Sequence, residues 1–144
     1  MIIRKATAAD FPVVLSMIHE FADFQRTPEK VTISLEQMLQ EQDLFRCLVA
    51  ETASGEVVGF ATYFYTYYSW TGKALYLDDL YVKNVFRNQL IGTRFLQALV
   101  AIAMDEHCKK MRWQVSKWNE TAIEFYKKMG AVIDETEINC DLYL

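Results

Sequence analysis

Three groups of residues in this chain have types and spacings suited to chemistry. The first is the run Tyr76 to Leu99, YLDDLYVKNVFRNQLIGTRFLQAL. Its opening residues are aromatic and branched and read as a strand, whereas Ile91, Phe95, Leu99 and Ile102 return at helical spacing. A strand feeding a helix through a short turn aims the helix's first N–H groups at one point, with the positive end of the helix dipole behind them. That is an anion site. Arg87 at its edge adds a permanent cation suited to phosphate oxygens, and Gly92 lets a ligand come close to the backbone. The second group is Asp78 and Asp79, adjacent on the strand, so that strict alternation sends them to opposite faces and only one faces a given reacting centre. A carboxylate there can hold a cation or take up a proton. The third is Tyr126, whose phenol, with a pKa of about 10, can donate a proton at neutral pH.

Other residue types offer less. His19 and His107 stand far apart on polar helical positions without ligand spacing and read as surface residues. Cys47, Cys108 and Cys140 form no paired framework and no C-x-x-C spacing; they read as small packing residues, and no metal site is expected. The net charge of −4 argues against a nucleic-acid partner and is compatible with a cationic substrate. No apolar run approaches the roughly 18 residues of a membrane span, and the start lacks a signal-peptide pattern, so a cytoplasmic protein with no membrane partner is expected. A chain of 144 residues is one domain by length, 1–144, large enough for a single core.

The elements that position these residues follow from the pattern. Ile2 to Lys5 is a short strand, and Thr7-x-x-Asp10 resembles a capping box before apolar Phe11, Leu15, Ile18 and Ala22 on one helical face. With Asp10 as N-cap, Pro12 falls in the first turn, where no hydrogen bond is lost. Thr27-Pro28 ends that helix, Ser34-x-x-Gln37 starts a shorter one, and a loop with Phe24 and Gln25 lies between. Phe45–Glu51 and Val57–Tyr65 form a hairpin across Ala53-Ser54-Gly55-Glu56. The aromatic run Tyr63 to Trp70 has two readings: core and dimer-surface packing, or a wall of an acceptor pocket from Tyr67 to Trp70. Lys73–Val82 pairs back, the Ile91–Ile102 helix crosses over, and Met111–Ser116 follows as a parallel strand. Asn119 caps a helix through Ile123, Phe125, Tyr126 and Met129 that Gly130 ends, and Val132–Asp134 with Ile138–Tyr143 supply a last hairpin.

Several of these motifs, in this order, carry a resemblance. Arg87-x-x-Leu90-x-Gly92 resembles the R/Q-x-x-G-x-G/A pyrophosphate loop of the GNAT superfamily of acetyl-CoA-dependent N-acetyltransferases. Trp70-Thr71-Gly72-Lys73 before Leu75 to Val82, Trp118-Asn119-Glu120 before Phe125 to Ala131, and Ile3-Arg4-x-Ala6 to Asp10 resemble its diamine (spermidine/spermine) and thialysine branch. The likeness covers nearly the whole chain. It implies an α/β fold, a central mixed sheet of six or seven strands flanked by about four helices, and a homodimer. It implies acetyl-CoA as co-substrate, with the backbone of Leu80, Tyr81 and Val82 along the pantetheine arm, and Arg87, Asn88, Gln89, Leu90, Ile91, Gly92 and Thr93 around the pyrophosphate. It further implies that Asn119, besides capping its helix, contacts the coenzyme. By the same resemblance Tyr126 is the general acid that protonates the departing thiolate, and Asp78 is the acidic residue beside the amine, acting through water. Phe24, Gln25, Trp70 and Asp79 then complete the acceptor site.

The chain departs from the pattern at three places. Leu90 replaces the first glycine of the loop, which costs about 1–2 kcal/mol if that position requires positive φ and nothing if its backbone is helical. Gln25 and Lys117 stand where the polyamine branch has acidic residues, and both remove negative charge from an amine site. The reading is direct acetyl transfer to a primary amine of a small molecule such as a diamine, polyamine or thialysine-like amino acid. The alternatives are a non-catalytic acyl-CoA-binding regulatory protein and a protein amine acetyltransferase.

Overall fold

The computed structural model describes all 144 residues. Residues 1–113 and 114–144 form two compact units. The first contains a five-stranded sheet in the order β1-β2-β3-β4-β5: β1 (Ile2–Lys5), β2 (Arg46–Glu51), β3 (Val57–Tyr68), β4 (Gly72–Val82) and β5 (Met111–Arg112). The first four strands run antiparallel in sequence, and β5 joins β4 in parallel. Three helices belong to this unit: α1 (Phe11–Phe24), α2 (Leu35–Gln40) and α3 (Ile91–Asp105). The second unit has one helix, α4 (Glu120–Lys128).

Local chemistry explains most boundaries. Asp10 accepts the Thr7 N–H at 2.7 Å and closes a 3-10 turn over Ala8–Asp10, after which α1 starts with Pro12 in its first turn. Asp10 is held by two Arg4 bonds, of 2.8 and 2.9 Å, and the guanidinium depresses its carboxyl to about 2. Ser34 caps α2 through the Gln37 N–H at 3.1 Å. The buried face of α1 is Phe11, Val14, Met17 and Ala22; Leu15 and Ile18 pack only at its flank, so the apolar stripe is rotated from the expected one. Phe11, Val14 and Met17 close over Met38, Val49, Phe60 and Tyr81 to make the core on one side of the sheet. Gly59 keeps β3 close to its neighbours, since a Cβ there would stand 2.8 Å from the Tyr81 carbonyl oxygen and 3.2 Å from the Phe95 ring of α3.

Two strand expectations are corrected. The strand expected at Met111–Ser116 is only Met111–Arg112, and the hairpin of Val132–Asp134 with Ile138–Tyr143 is absent, so the sheet has five strands. Alternating apolar residues make a strand only where a ladder accepts them, and two strands alone are marginal in water. Ile138, Leu142 and Tyr143 are exposed, as is Cys140, which is therefore no packing residue. Asp134 instead accepts the N–H and hydroxyl of Thr136 in a local turn.

Candidate active site

The site is built on β4. Its partner β3 runs beside it along its whole length, and cross-strand partners share a face: Tyr63 with Leu77, Thr62 with Asp79, Phe60 with Tyr81. Between Thr62 and Tyr63 the register shifts by one, leaving Asp78 without a partner. This is a β-bulge, and it interrupts the strict alternation from which opposite faces are expected for Asp78 and Asp79. Leu77 and Asp79 now have partners on opposite faces, and Asp78 is the extra residue that makes the switch. Burial first, then the Asp78 charge, pushes Asp79 up to about 6, while Asp78 is raised by desolvation. Thr62 was not foreseen as a site residue. It is buried, and its Oγ1 accepts the Asp79 N–H at 3.1 Å, which fixes the bulge.

The other edge of β4 matters as much. Strand β5 pairs with it only at Leu75 and Tyr76, so from Leu77 onward β4 has a strand on one side alone. The backbone of Leu80 and Tyr81 is thereby presented along an edge that an extended ligand can join as a further strand. At Val82 the carbonyl is already taken by Arg87 Nε at 3.1 Å.

Beyond β4 a 3-10 turn, Asn84–Phe86, leads through Arg87, Asn88, Gln89 and Leu90 into α3. The first helical bond runs from the Arg94 N–H to the Leu90 carbonyl, at 3.0 Å, so the N–H groups of Ile91, Gly92 and Thr93 have no acceptor within the helix. Asn88 and Leu90 both have positive φ, 62° and 61°. Alternating with Gln89, these left-handed residues turn the chain sharply into the helix axis. Leucine at such a φ is strained, and the 71% exposed Leu90 side chain recovers little by packing. The loop thus requires what a glycine would supply. Its geometry fits a pyrophosphate, with unbonded N–H groups converging at the positive end of a 15-residue helix.

Arg87 differs from the simple phosphate-contacting cation. Besides the Val82 bond, its guanidinium lies over Phe24 at 4.9 Å and over Tyr81 at 5.6 Å from the ring centres. Tyr81 in turn donates its hydroxyl to Glu20 at 3.0 Å. The end of α1 and the end of β4 are therefore tied together by Glu20, Tyr81, Arg87 and Phe24. Glu20 was missed in the sequence; the available signal was its place one helical turn before Phe24, on the same face. Gln25 caps the C-terminus of α1, half-buried.

Trp70 is not brought to this site. It stands at the tip of the β3–β4 turn and is 97% exposed, and Tyr67 is 80% exposed, so neither walls a pocket within the chain. In the second unit Asn119 caps α4, its side chain accepting the Ala122 N–H at 3.2 Å, and Gly130 ends the helix at φ +93°. Tyr126 lies half-buried on α4, and burial raises its phenol, so it holds its proton at neutral pH.

β4 thus carries an unpaired edge and the Asp78–Asp79 bulge toward the start of α3, whose first N–H groups lack helical acceptors, and residues 11–131 match the model of the acetyltransferase (GNAT) family. The chain belongs to that family. As a GNAT enzyme it is an acetyl-CoA-dependent N-acetyltransferase. A thialysine N-epsilon-acetyltransferase of Sus scrofa is 37% identical over 142 residues, 91% of this chain and 84% of that protein. The Mus musculus protein of the same name is 37% identical over 140 residues, covering 90% and 82%. Spermidine/spermine N(1)-acetyltransferase-like protein 1 of Homo sapiens is also 37% identical over 140 residues, but the match spans 20% of that longer protein. Among solved structures, a probable acetyltransferase superposes with a TM-score of 0.82 at 22% identity, covering 100% of this chain and 98% of that one. A ribosomal-protein-alanine N-acetyltransferase from Brucella melitensis gives 0.80 at 17%, covering 99% and 100%. These structures share the fold with this GNAT chain and say nothing of its acceptor.

Proposed function

We propose that this acetyltransferase moves the acetyl group of acetyl-CoA directly to a primary amine of a small, thialysine-like amino acid or diamine. The observation that carries the reading is the Asp78–Asp79 bulge, set on the strand that leads into the phosphate-binding turn. In this reading Leu80 and Tyr81 align the pantetheine arm by their backbone, and Asn88, Gln89, Leu90, Ile91, Gly92 and Thr93 hold the pyrophosphate. The bulge carboxylates attract the ammonium group and, through water, accept its proton. Tyr126 gives a proton to the departing thiolate, which has an unperturbed pKa of about 8.5. Direct transfer needs no cysteine or serine nucleophile, and the buried Cys47 thiol, pushed up to about 12, would be a poor one.

The curated relatives are named for thialysine and for spermidine/spermine, so the acceptor turns on side chains. Neutral Gln25 and cationic Lys117 favour an acceptor with one reacting amine and few distal charges over a long polyamine. The family match spans both compact units, which supports one acetyltransferase domain over 1–144. Exposed Tyr67 and Trp70 support a homodimer, checked by light scattering, and three unpaired cysteines support a cytoplasmic setting. No helix is long and apolar enough to cross a membrane. The activity is tested by following thiol release from acetyl-CoA against a panel of small amines. Turnover with thialysine or a diamine is expected; thiol release with none of them, in protein that binds acetyl-CoA, would favour the acyl-CoA-binding alternative.

A further inference from the structure

A polar cavity of about 490 Å³ opens where the starts of β2 and β4 meet the end of α3. Its walls include Lys5, Arg46, Tyr63, Tyr65, Lys73 and Glu106. It is remote from the acyl-donor site. Lys73 is nine residues along β4 from Val82, roughly 30 Å of extended chain, and Glu106 lies beyond the opposite end of α3 from Ile91, roughly 20 Å away.

The chemistry of this wall is one-sided. Lys5, Arg46 and Lys73 bring three positive charges against one carboxylate, and that carboxylate is already paired: Lys73 Nζ meets Glu106 Oε2 at 2.7 Å. The Arg46 side chain forms no ion pair or hydrogen bond in the chain. Its guanidinium lies 5.2 Å from the Tyr65 ring centre, with Lys73 Nζ 4.6 Å from the same ring. The stacked guanidinium is thus held in place with its N–H donors unused. Tyr63 adds an independent observation. It is 6% exposed, touches Tyr65 edge-on at 6.1 Å, and its hydroxyl makes no hydrogen bond within the chain. Every fully enclosed side-chain N or O in the protein has a partner, so the Tyr63 hydroxyl keeps its small exposure and opens onto the cavity. Burial keeps that phenol protonated, and hence a donor, at neutral pH.

We infer that this cavity is a binding site for a small organic anion bearing two or more carboxylate or phosphate groups, held by the Arg46 guanidinium, the Tyr63 hydroxyl and the Lys5 and Lys73 ammonium groups. Unused donors, an aromatic floor under two cations and an excess of two positive charges match such a ligand. A cationic amine would meet like charge there. The volume lies within the range of small-molecule sites.

The test is calorimetric titration with citrate at constant ionic strength, using enzyme saturated with coenzyme A so that the start of α3 is occupied. Wild type is expected to bind citrate saturably at one site. Tyr63→Phe, which deletes one oxygen, should weaken binding by roughly ten-fold or more, as should Arg46→Gln. Arg46 is exposed, so its variant folds normally and decides the matter if the Tyr63 variant does not. Absence of saturable binding at millimolar citrate, binding that disappears when coenzyme A is added, or equal affinity in wild type and Arg46→Gln would overturn the assignment.

Discussion

Thr62 of β3 faces Asp79 of β4, and its hydroxyl oxygen accepts the Asp79 N–H at 3.1 Å, so the next pair along, Tyr63 with Leu77, leaves Asp78 outside the ladder. The hydroxyl thus occupies a donor that the displaced strand would leave unmet, and it steadies the bulge that carries Asp78 and Asp79.

The coupling of Asp78 and Asp79 has a pH consequence. Asp79 is raised to about 6 in the folded chain, above its unfolded value, so the folded state holds more protons between the two values. Its contribution to stability is therefore largest below pH 4 and declines as pH rises through 6. Asp79→Asn should raise stability at pH 7 by roughly 1–3 kcal/mol, measured by urea unfolding. The acidic limb of kcat/KM should lie near pH 6 in wild type and move lower in Asp78→Asn, which removes the repulsion; an unmoved limb would assign that titration elsewhere.

Leu90 should be a position where glycine improves the protein. Its φ of 61° and exposed side chain predict that Leu90→Gly stabilises the fold by about 1 kcal/mol. Acetyl-CoA affinity should rise or stay level, measured by calorimetry. A clear loss of affinity would mean that the leucine side chain itself contacts the coenzyme.

The Tyr126 phenol should affect turnover more than binding, because a general acid acts as charge develops on sulfur. Tyr126→Phe is expected to lower kcat by roughly 10²–10⁴ with coenzyme affinity unchanged. Near-normal turnover would return Tyr126 to packing.

Acceptor choice should depend on Lys117. A cation within several ångströms of a distal ammonium disfavours it by roughly 1–4 kcal/mol, according to solvent screening. Wild type should therefore prefer thialysine over spermidine in kcat/KM, and Lys117→Glu should shift the ratio toward spermidine. A wild-type preference for spermidine, or no shift in the variant, would remove Lys117 from the acceptor site.

The helices and the turn into α3 were legible in the residues alone, because caps, helical periodicity and a strand-to-helix junction are local: Ser34 and Asn119 cap as their types require, and Ile91 begins α3 where the apolar period begins. Chain order also sufficed to place β4 between β3 and a parallel β5. The bulge came only with folding, since alternation along β4 carries no sign of it; it arises from pairing with Thr62, 17 residues away. Nor did the identity of Arg87 show that its guanidinium would rest on Phe24 and Tyr81, a contact made by folding α1 against the sheet. The missing last hairpin has the same origin. The pattern around Ile138 and Leu142 is strand-like, but a strand is a property of two chains of atoms, and the ladder it needs is not written in its own residues.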